Sequence, residues 1–166
     1  MNVSATNSLS LRIYYNRFSS VATGATRQSA STGTLSMADA SALRNAVRKL
    51  QDYDFEGATK DQIQEKLKAF TDTMNNAITS ATKYGKGDTS VKNAAAKLKK
   101  LNNDYASDLQ KIGITVNKDG TVSLYENASK TYSSSKIASF FDNDSKYLND
   151  VYDTAKRITR KVDVRI

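Results

Sequence analysis

The chain has 166 residues, a length that fits one compact domain. It contains no Cys and no His, which excludes a disulfide framework, a Cys- or His-ligated metal site and a Ser-His-Asp triad. Lys and Arg number 25 against 17 acidic residues, which gives a formal net charge of +8 that is spread along the chain.

Residues 1–35 are rich in Ser and Thr and have no sustained helical period. Within them, apolar residues at every second position fit one half-buried strand; these are Leu9, Leu11, Ile13 and Tyr15. We predict that residues 1–35 form a flexible N-terminal segment and that residues 36–166 form a helical bundle domain.

Two apolar stripes at helical spacing follow this segment. Ser36 and Asp39 have the spacing of a capping box and predict the start of the first helix, which ends near Gly57. The second stripe repeats every three or four residues, about 3.5 on average, as in a coiled coil. The stripes comprise Ala40, Leu43, Val47 and Leu50, then Ile63, Leu67, Phe70, Met74, Ala77, Ala81 and Tyr84.

A third helix is predicted after a glycine-containing turn. Gly85 and Gly87 end the second helix, and Asp88 or Thr89 is positioned to cap the next one. The third stripe comprises Val91, Ala94, Leu98, Leu101, Tyr105, Leu109 and Ile112. Because the link is short, the second and third helices are expected to form an antiparallel hairpin.

At Gly113 the apolar period changes from helical to alternating. Ile114 and Val116 precede the turn sequence Asn-Lys-Asp-Gly at residues 117–120, and Val122 and Leu124 follow it. This pattern predicts a small β-hairpin at about residues 113–125, which must pack on the helices because two strands alone are marginally stable.

Short helical pieces are expected over residues 126–141, ending in an exposed Phe140-Phe141 pair. Asn143 or Asp144 is then positioned to cap a last helix. Its apolar stripe comprises Leu148, Val151, Ala155, Ile158 and Val162. The chain has no Pro, which favours long helices. The predicted fold is mainly α, an elongated, coiled-coil-like antiparallel helical bundle with one β-hairpin.

The stripe of the last helix has two interpretations. It either fills a core within the chain or stays open as an amphipathic face for another subunit. On the second interpretation, the candidate partner interface comprises Leu148, Val151, Tyr152 and Ile158.

Three segments resemble ligand motifs only in part. Residues 117–120 lack the Glu that closes a calcium loop, and a turn with Gly120 at a positive φ explains them better. Asp142, Asp144 and Asp150 read as capping and solvent-facing residues, and residues 85–89 lack the Walker order. We therefore expect no catalytic residue, no cofactor, no metal and no small-molecule substrate.

Four segments are similar to the bacterial flagellar filament-cap family, also called hook-associated protein 2. They are FTDTMNNAI with its central Asn75, GKGDTSVKNAAAKL, LQKIGITVNKDGTVSLYE and KIASFFDN, and they span about residues 70–142. The third resembles the family's Ile-Gly-Ile and Asp-Gly-x-Leu-x-Leu pattern, with Val122 and Tyr125 as departures from it.

This resemblance implies a structural module that corresponds to the C-terminal helical part of the cap protein and assists assembly. Its partners are then proteins, either further copies of the chain or flagellar subunits. If the chain is cap-like, we expect it to be bacterial and exported to the flagellum. If it is not, we expect it in the cytoplasm.

The alternative function is that of a basic helical protein that binds nucleic acid or another anionic surface. The most closely spaced cations of the sequence form two small clusters, Lys97-Lys99-Lys100 and Lys156-Arg157-Arg160-Lys161. A nucleic-acid-binding protein, in contrast, normally concentrates its positive charge on one face. Nucleic acid is therefore the less favoured partner. No apolar run reaches the ~18 residues of a membrane span.

Overall fold

The computed structural model describes residue 27 and residues 30–162. This part is mainly helical with one small antiparallel sheet, which confirms the predicted fold class. Its elements are α1 (Thr32–Gln51), α2 (Lys60–Tyr84), α3 (Thr89–Asp104), α4 (Ala106–Gln110), β1 (Ile114–Val116), β2 (Val122–Leu124), α5 (Ala128–Thr131), α6 (Ser134–Phe140) and α7 (Lys146–Lys161).

The four long helices form the body. Helix α1 packs on α2, α2 on α3, α3 on α7, and α7 returns to α1, so that four apolar stripes meet in one core. Leu43, Leu67, Leu98 and Val151, one from each long helix, are completely buried. A helix whose apolar residues recur about every 3.5 positions must cover that stripe with a partner, and here each long helix packs on two neighbours around the shared core.

The β-hairpin has the predicted position and turn. Ile114 pairs with Leu124 and Val116 with Val122. Gly120 has φ +81°, and its N–H donates to the Asn117 carbonyl at 2.9 Å, which closes the turn. Strand β2 contacts α2, so the ribbon packs on the bundle.

The predicted start of the first helix is wrong. Helix α1 begins at Thr32, where the Ser31 side chain accepts a hydrogen bond from the Thr34 N–H at 3.1 Å. Ser36 lies inside the helix and is buried, and buried Asp39 binds Arg27 at 2.7 Å. The capping-box spacing was therefore fortuitous. Residues 32–35 belong to the bundle, and the strand predicted at residues 9–15 lies outside the described part.

Three further boundaries differ from the sequence prediction. Helix α1 ends at Gln51, well before Gly57. The third predicted helix breaks at Tyr105, whose ring lies 5.2 Å from that of Tyr147 between centroids. Asp88 caps α3 as predicted, but Ser145, and neither Asn143 nor Asp144, caps α7.

The expected exposure of the Phe140-Phe141 pair is also wrong. Phe141 is completely buried, with its ring centroid 5.5 Å from that of Phe70 and 6.2 Å from that of Phe55. Phe140 is half-buried and packs edge-on against Phe141 at 5.0 Å. Short helix α6 therefore closes one end of the core with an aromatic cluster.

Candidate functional site

A side-chain amide joins the hairpin to the bundle. Asn75, in the middle of α2, donates from Nδ2 to the Val122 carbonyl at 2.7 Å and accepts from the Val122 N–H at 2.8 Å. The amide of Asn75 thus pairs with the outer edge of β2 as the peptide group of a third strand would. The Asn that the family resemblance singled out has a structural role.

Two more amides fix the same segment. Gln64 donates to the Tyr125 carbonyl at 2.9 Å and accepts from the Ser129 N–H at 3.0 Å. Asn102, completely buried, donates to the Gly120 carbonyl at 2.8 Å and accepts from the Tyr147 hydroxyl at 2.7 Å. We call β1, β2 and these three amides the docked hairpin. Sequence reasoning missed Gln64 and Asn102, because a polar residue beside a helix seam carries no signal of its distant partner.

The glycine of the Ile-Gly-Ile sequence is required by the backbone. Gly113 has φ +85°, and a Cβ atom there would lie 2.6 Å from the Ala128 Cβ and 3.0 Å from the Tyr132 ring. Only glycine fits this conformation and this close approach. The residues that carry the resemblance therefore meet in one packed unit.

The predicted partner interface falls largely in the core. Leu148, Val151 and Ile158 are each completely buried within the single chain, whereas Tyr152 is half-buried. The packing of the apolar stripe of α7 therefore agrees with the first of its two interpretations, in which the stripe fills a core within the chain. Without a rearrangement of α7, only Tyr152 of the four residues is accessible.

Tyr152 is held by two arginines of α1. Arg44 and Arg48 lie over its ring at 5.2 and 4.8 Å from the centroid, and both donate to its hydroxyl. The hydrogen bond from Arg44, supported by the nearby positive charges, lowers the pKa of Tyr152. These contacts give Tyr152 a structural role between α1 and α7.

The partial ligand motifs have local structural roles. Asp88 accepts from the Val91 N–H at 2.9 Å, and Asp150 pairs with Lys146 at 2.6 Å. Asp119 accepts from the Thr121 hydroxyl at 2.6 Å and the Thr121 N–H at 3.0 Å, which lowers the pKa of Asp119. Within the described residues, no three acidic groups converge in a way that would hold a metal ion.

A basic groove of about 410 Å³ runs between α3 and α7. We call it the α3–α7 groove. It combines one residue of the first cationic cluster, Lys97, with the whole second cluster, Lys156, Arg157, Arg160 and Lys161; Ala94, Thr154 and Asp153 complete the lining. Asp153 is its one acidic residue. The sequence showed both clusters, but only the packing of α3 on α7 brings Lys97 to the second.

The groove cations differ from several lysines elsewhere on the described surface, which are paired with an acidic residue. Lys68, Lys100 and Lys146 each pair with an Asp four residues later on the same helix at 2.5–2.7 Å. None of the five groove cations forms an ion pair with a described residue, although Asp153 lies one turn before Arg157. Within the described part of the chain, the charge of these five cations is therefore not neutralised by an ion pair.

No helix in the described part of the chain is both long and apolar enough to cross a bilayer. In comparisons with known proteins, no family model, no curated protein and no solved structure matches the chain.

Proposed function

We propose that this chain is a non-enzymatic assembly module of the flagellar filament-cap type. It acts by binding protein subunits, either its own copies or flagellar subunits. The observation that carries the proposal is the docked hairpin. Two of the segments that resemble the cap family meet in this unit. Asn75 from one segment binds the backbone of β2, and Gly113 and Gly120 from the other provide the positive φ angles that the hairpin segment needs.

The roles of the polar side chains agree with a scaffold. Gln64, Asn75 and Asn102 bind backbone atoms of the hairpin segment, and Ser31, Thr59, Asp88 and Ser145 cap helices. On this proposal the chain is bacterial and travels to the flagellum by the export route that cap proteins use.

The test uses the full chain and flagellin of the same organism. Light scattering after size-exclusion chromatography measures self-association over a range of concentrations, and immobilised chain measures flagellin binding. We expect oligomers, flagellin binding or both. A strict monomer at high concentration that binds no flagellar subunit would contradict the proposal.

A paired substitution links this binding to the docked hairpin. Asn75→Ala removes both hydrogen bonds to Val122, whereas Asn103→Ala removes only an exposed side-chain bond to the Lys99 carbonyl. If the docked hairpin presents the binding surface, Asn75→Ala weakens subunit binding and Asn103→Ala leaves it unchanged. Circular dichroism checks that both variants retain their helices.

The second candidate function is binding to nucleic acid or another anionic surface. The α3–α7 groove and the net charge of +8 favour it. Binding of this kind weakens steeply as salt is added, because counterions are released from the polyanion. Retention on heparin at low salt, lost as salt rises, would support this function, and no retention at low salt would exclude it.

A further inference from the structure

We propose that the α3–α7 groove binds a short carboxylate-rich segment of another polypeptide. The groove presents Lys97 from α3 opposite four cations of α7, and Asp153 is the one acid in its lining. This inference concerns a different surface from the docked hairpin and does not rest on the flagellar proposal.

Local helix electrostatics accounts for only part of this charge. Arg160 and Lys161 lie in the last turn of α7, where cations interact favourably with the helix dipole. Lys156 and Arg157 precede that turn, and Lys97 belongs to another helix. Placing like charges on facing helices is unfavourable, and a bound anion relieves the repulsion.

The N-terminal sequence supplies no neutralising charge for the groove. No Asp or Glu occurs before Asp39, and Asp39 is itself buried and paired with Arg27. Elsewhere the helices place an Asp one turn from a Lys, as in the Lys100–Asp104 pair. In the groove, Asp153 lies one turn before Arg157 but forms no ion pair with a described residue. One acidic residue against five cations leaves an excess of positive charge, and we assign the counter-charge to another molecule.

The lining favours carboxylates on a polypeptide over nucleic acid or a bilayer. No aromatic side chain lines the groove, so bases have no stacking surface. Membrane-surface helices anchor through exposed large apolar residues, and among the described residues the exposed one is Tyr125, on the hairpin segment. Arg157 and Arg160 have the planar fork that binds carboxylates through two hydrogen bonds.

The length of the groove sets the size of the ligand. From Asp153 to Lys161, α7 rises about 12 Å at about 1.5 Å per residue. An extended peptide covers that distance with about four residues. A segment with three or four carboxylates within such a stretch would match the cations of the groove.

The experiment uses the full chain and labelled peptides in fluorescence anisotropy. The probes are a short oligoglutamate, an oligoglutamine of the same length, single-stranded DNA of similar charge, and phosphatidylglycerol vesicles. The groove variant is Lys97→Glu/Arg157→Glu, in which both positions are exposed and lie outside the last turn of α7. The matched control is Lys118→Glu/Lys136→Glu, which makes the same charge change at exposed positions away from the groove.

We expect oligoglutamate to bind with an affinity that falls as salt rises, and oligoglutamine not to bind. The groove variant should weaken oligoglutamate binding by about tenfold or more, and the control by less than about twofold. Equal losses in both variants, or no binding at low salt, would overturn the proposal. If DNA or vesicles bind more tightly than oligoglutamate and the groove variant abolishes that binding, the groove is a site for a phosphate polymer or a lipid surface, and the proposal is wrong.

Flagellin binding by the same variants separates the two proposals. If the groove variant loses oligoglutamate binding but still binds flagellin, the assembly function uses a surface other than the groove. Oligoglutamate binding by a chain that neither self-associates nor binds flagellar subunits supports the groove and contradicts the assembly function.

Discussion

At the residue scale, Asn75 provides the hairpin with a substitute strand. Its amide satisfies both the N–H and the carbonyl of Val122 on the outer edge of β2. We expect Asn75→Ala to lower the free energy of unfolding by about 2 kcal/mol, because two partly buried backbone groups lose their partners at roughly 1 kcal/mol each. Urea denaturation followed by circular dichroism measures the change.

Two other substitutions test this explanation of Asn75. Asn75→Asp keeps the acceptor for the Val122 N–H but replaces the donor to its carbonyl with an oxygen, so we expect it to be no more stable than the Ala variant. Asn103→Ala, on the exposed face of α3, should change stability by less than about 0.5 kcal/mol. Equal effects at Asn75 and Asn103 would contradict a docking role.

Gly113, directly before β1, has little tolerance for a side chain. Its φ of +85° is unfavourable for any other residue, and an added Cβ would clash with Ala128 at 2.6 Å. We expect Gly113→Ala to lower the free energy of unfolding by about 3 kcal/mol, combining backbone strain with overpacking. Thermal unfolding provides the measurement.

Gly87 is the matched control for that substitution. The nearest atom to a Cβ at Gly87 is the Tyr84 carbonyl oxygen at 3.9 Å, and its φ is not positive. Gly87→Ala should change stability by less than about 0.5 kcal/mol. A Gly113→Ala variant as stable as Gly87→Ala would show that the backbone there relaxes freely.

Tyr147 is expected to make stability sensitive to alkaline pH. Burial raises the pKa of Tyr147 far above its ordinary value of 10.0, because it disfavours the charged phenolate. Because the pKa of Tyr147 is higher in the folded state than in the unfolded state, the stability of the fold is unaffected by this group below about pH 10. As the pH rises further, the unfolded state loses the proton first, and the free energy of unfolding falls progressively. Denaturant unfolding at neutral pH and near pH 11 measures this loss.

Tyr147→Phe separates the ionisation from the hydrogen bond. The variant leaves the buried Asn102 Oδ1 without the Tyr147 donor, so we expect it to be about 1–3 kcal/mol less stable at neutral pH. Because Phe cannot ionise, its further loss of stability above pH 10 should be smaller than that of the parent chain. An equal alkaline loss in both would assign the effect to other groups.

At the element scale, the apolar face of α7 belongs to the core of the single chain. Ile158 is completely buried among the long helices. We expect Ile158→Ala to lower the free energy of unfolding by about 2–4 kcal/mol through lost burial and the cavity left behind. This loss should be the same over about a hundredfold range of protein concentration, since no partner chain is needed to bury the side chain. A loss that depends on concentration would restore α7 as an intermolecular interface.

The existence of the long helices could be predicted from sequence, but their ends could not. Apolar spacing depends only on helix geometry, and it identified α2 and α7 together with most of the apolar residues that they bury, although it missed Ile78 and Tyr147. Helix ends depend on which of several nearby polar residues caps the backbone. Ser31 and Ser145 cap helices where Ser36, Asn143 and Asp144 were equally plausible by residue type.

The candidate sites depend on contacts between residues distant in sequence, which single-sequence patterns do not encode. Asn102 docks Gly120 and binds Tyr147, and its position beside Leu101 indicates neither partner. Lys97 joins the cluster at Arg157 only through the register of α3 on α7. The composition predicted a positive charge but not its concentration in one groove.

At the scale of the whole molecule, the described body is a polar-surfaced bundle. Tyr125, 52% exposed, is the one large hydrophobic side chain exposed in this part. Subunits that assemble stably bury apolar or aromatic residues at the centre of their interface. On the assembly proposal, a candidate for that apolar contribution is the first 26 residues, whose sequence contains Leu9, Leu11 and Ile13.

A truncation that begins at Arg27 therefore separates folding from assembly. It keeps the Arg27–Asp39 ion pair and all of the described core, so we expect the thermal unfolding midpoint of the monomer to be unchanged. We expect self-association, measured by light scattering, to be lost, because the described surface exposes no large apolar side chain besides Tyr125. If the truncated chain associates as strongly as the full chain, the interface lies on the bundle itself, and its polar surface, including the α3–α7 groove, must then form the contact.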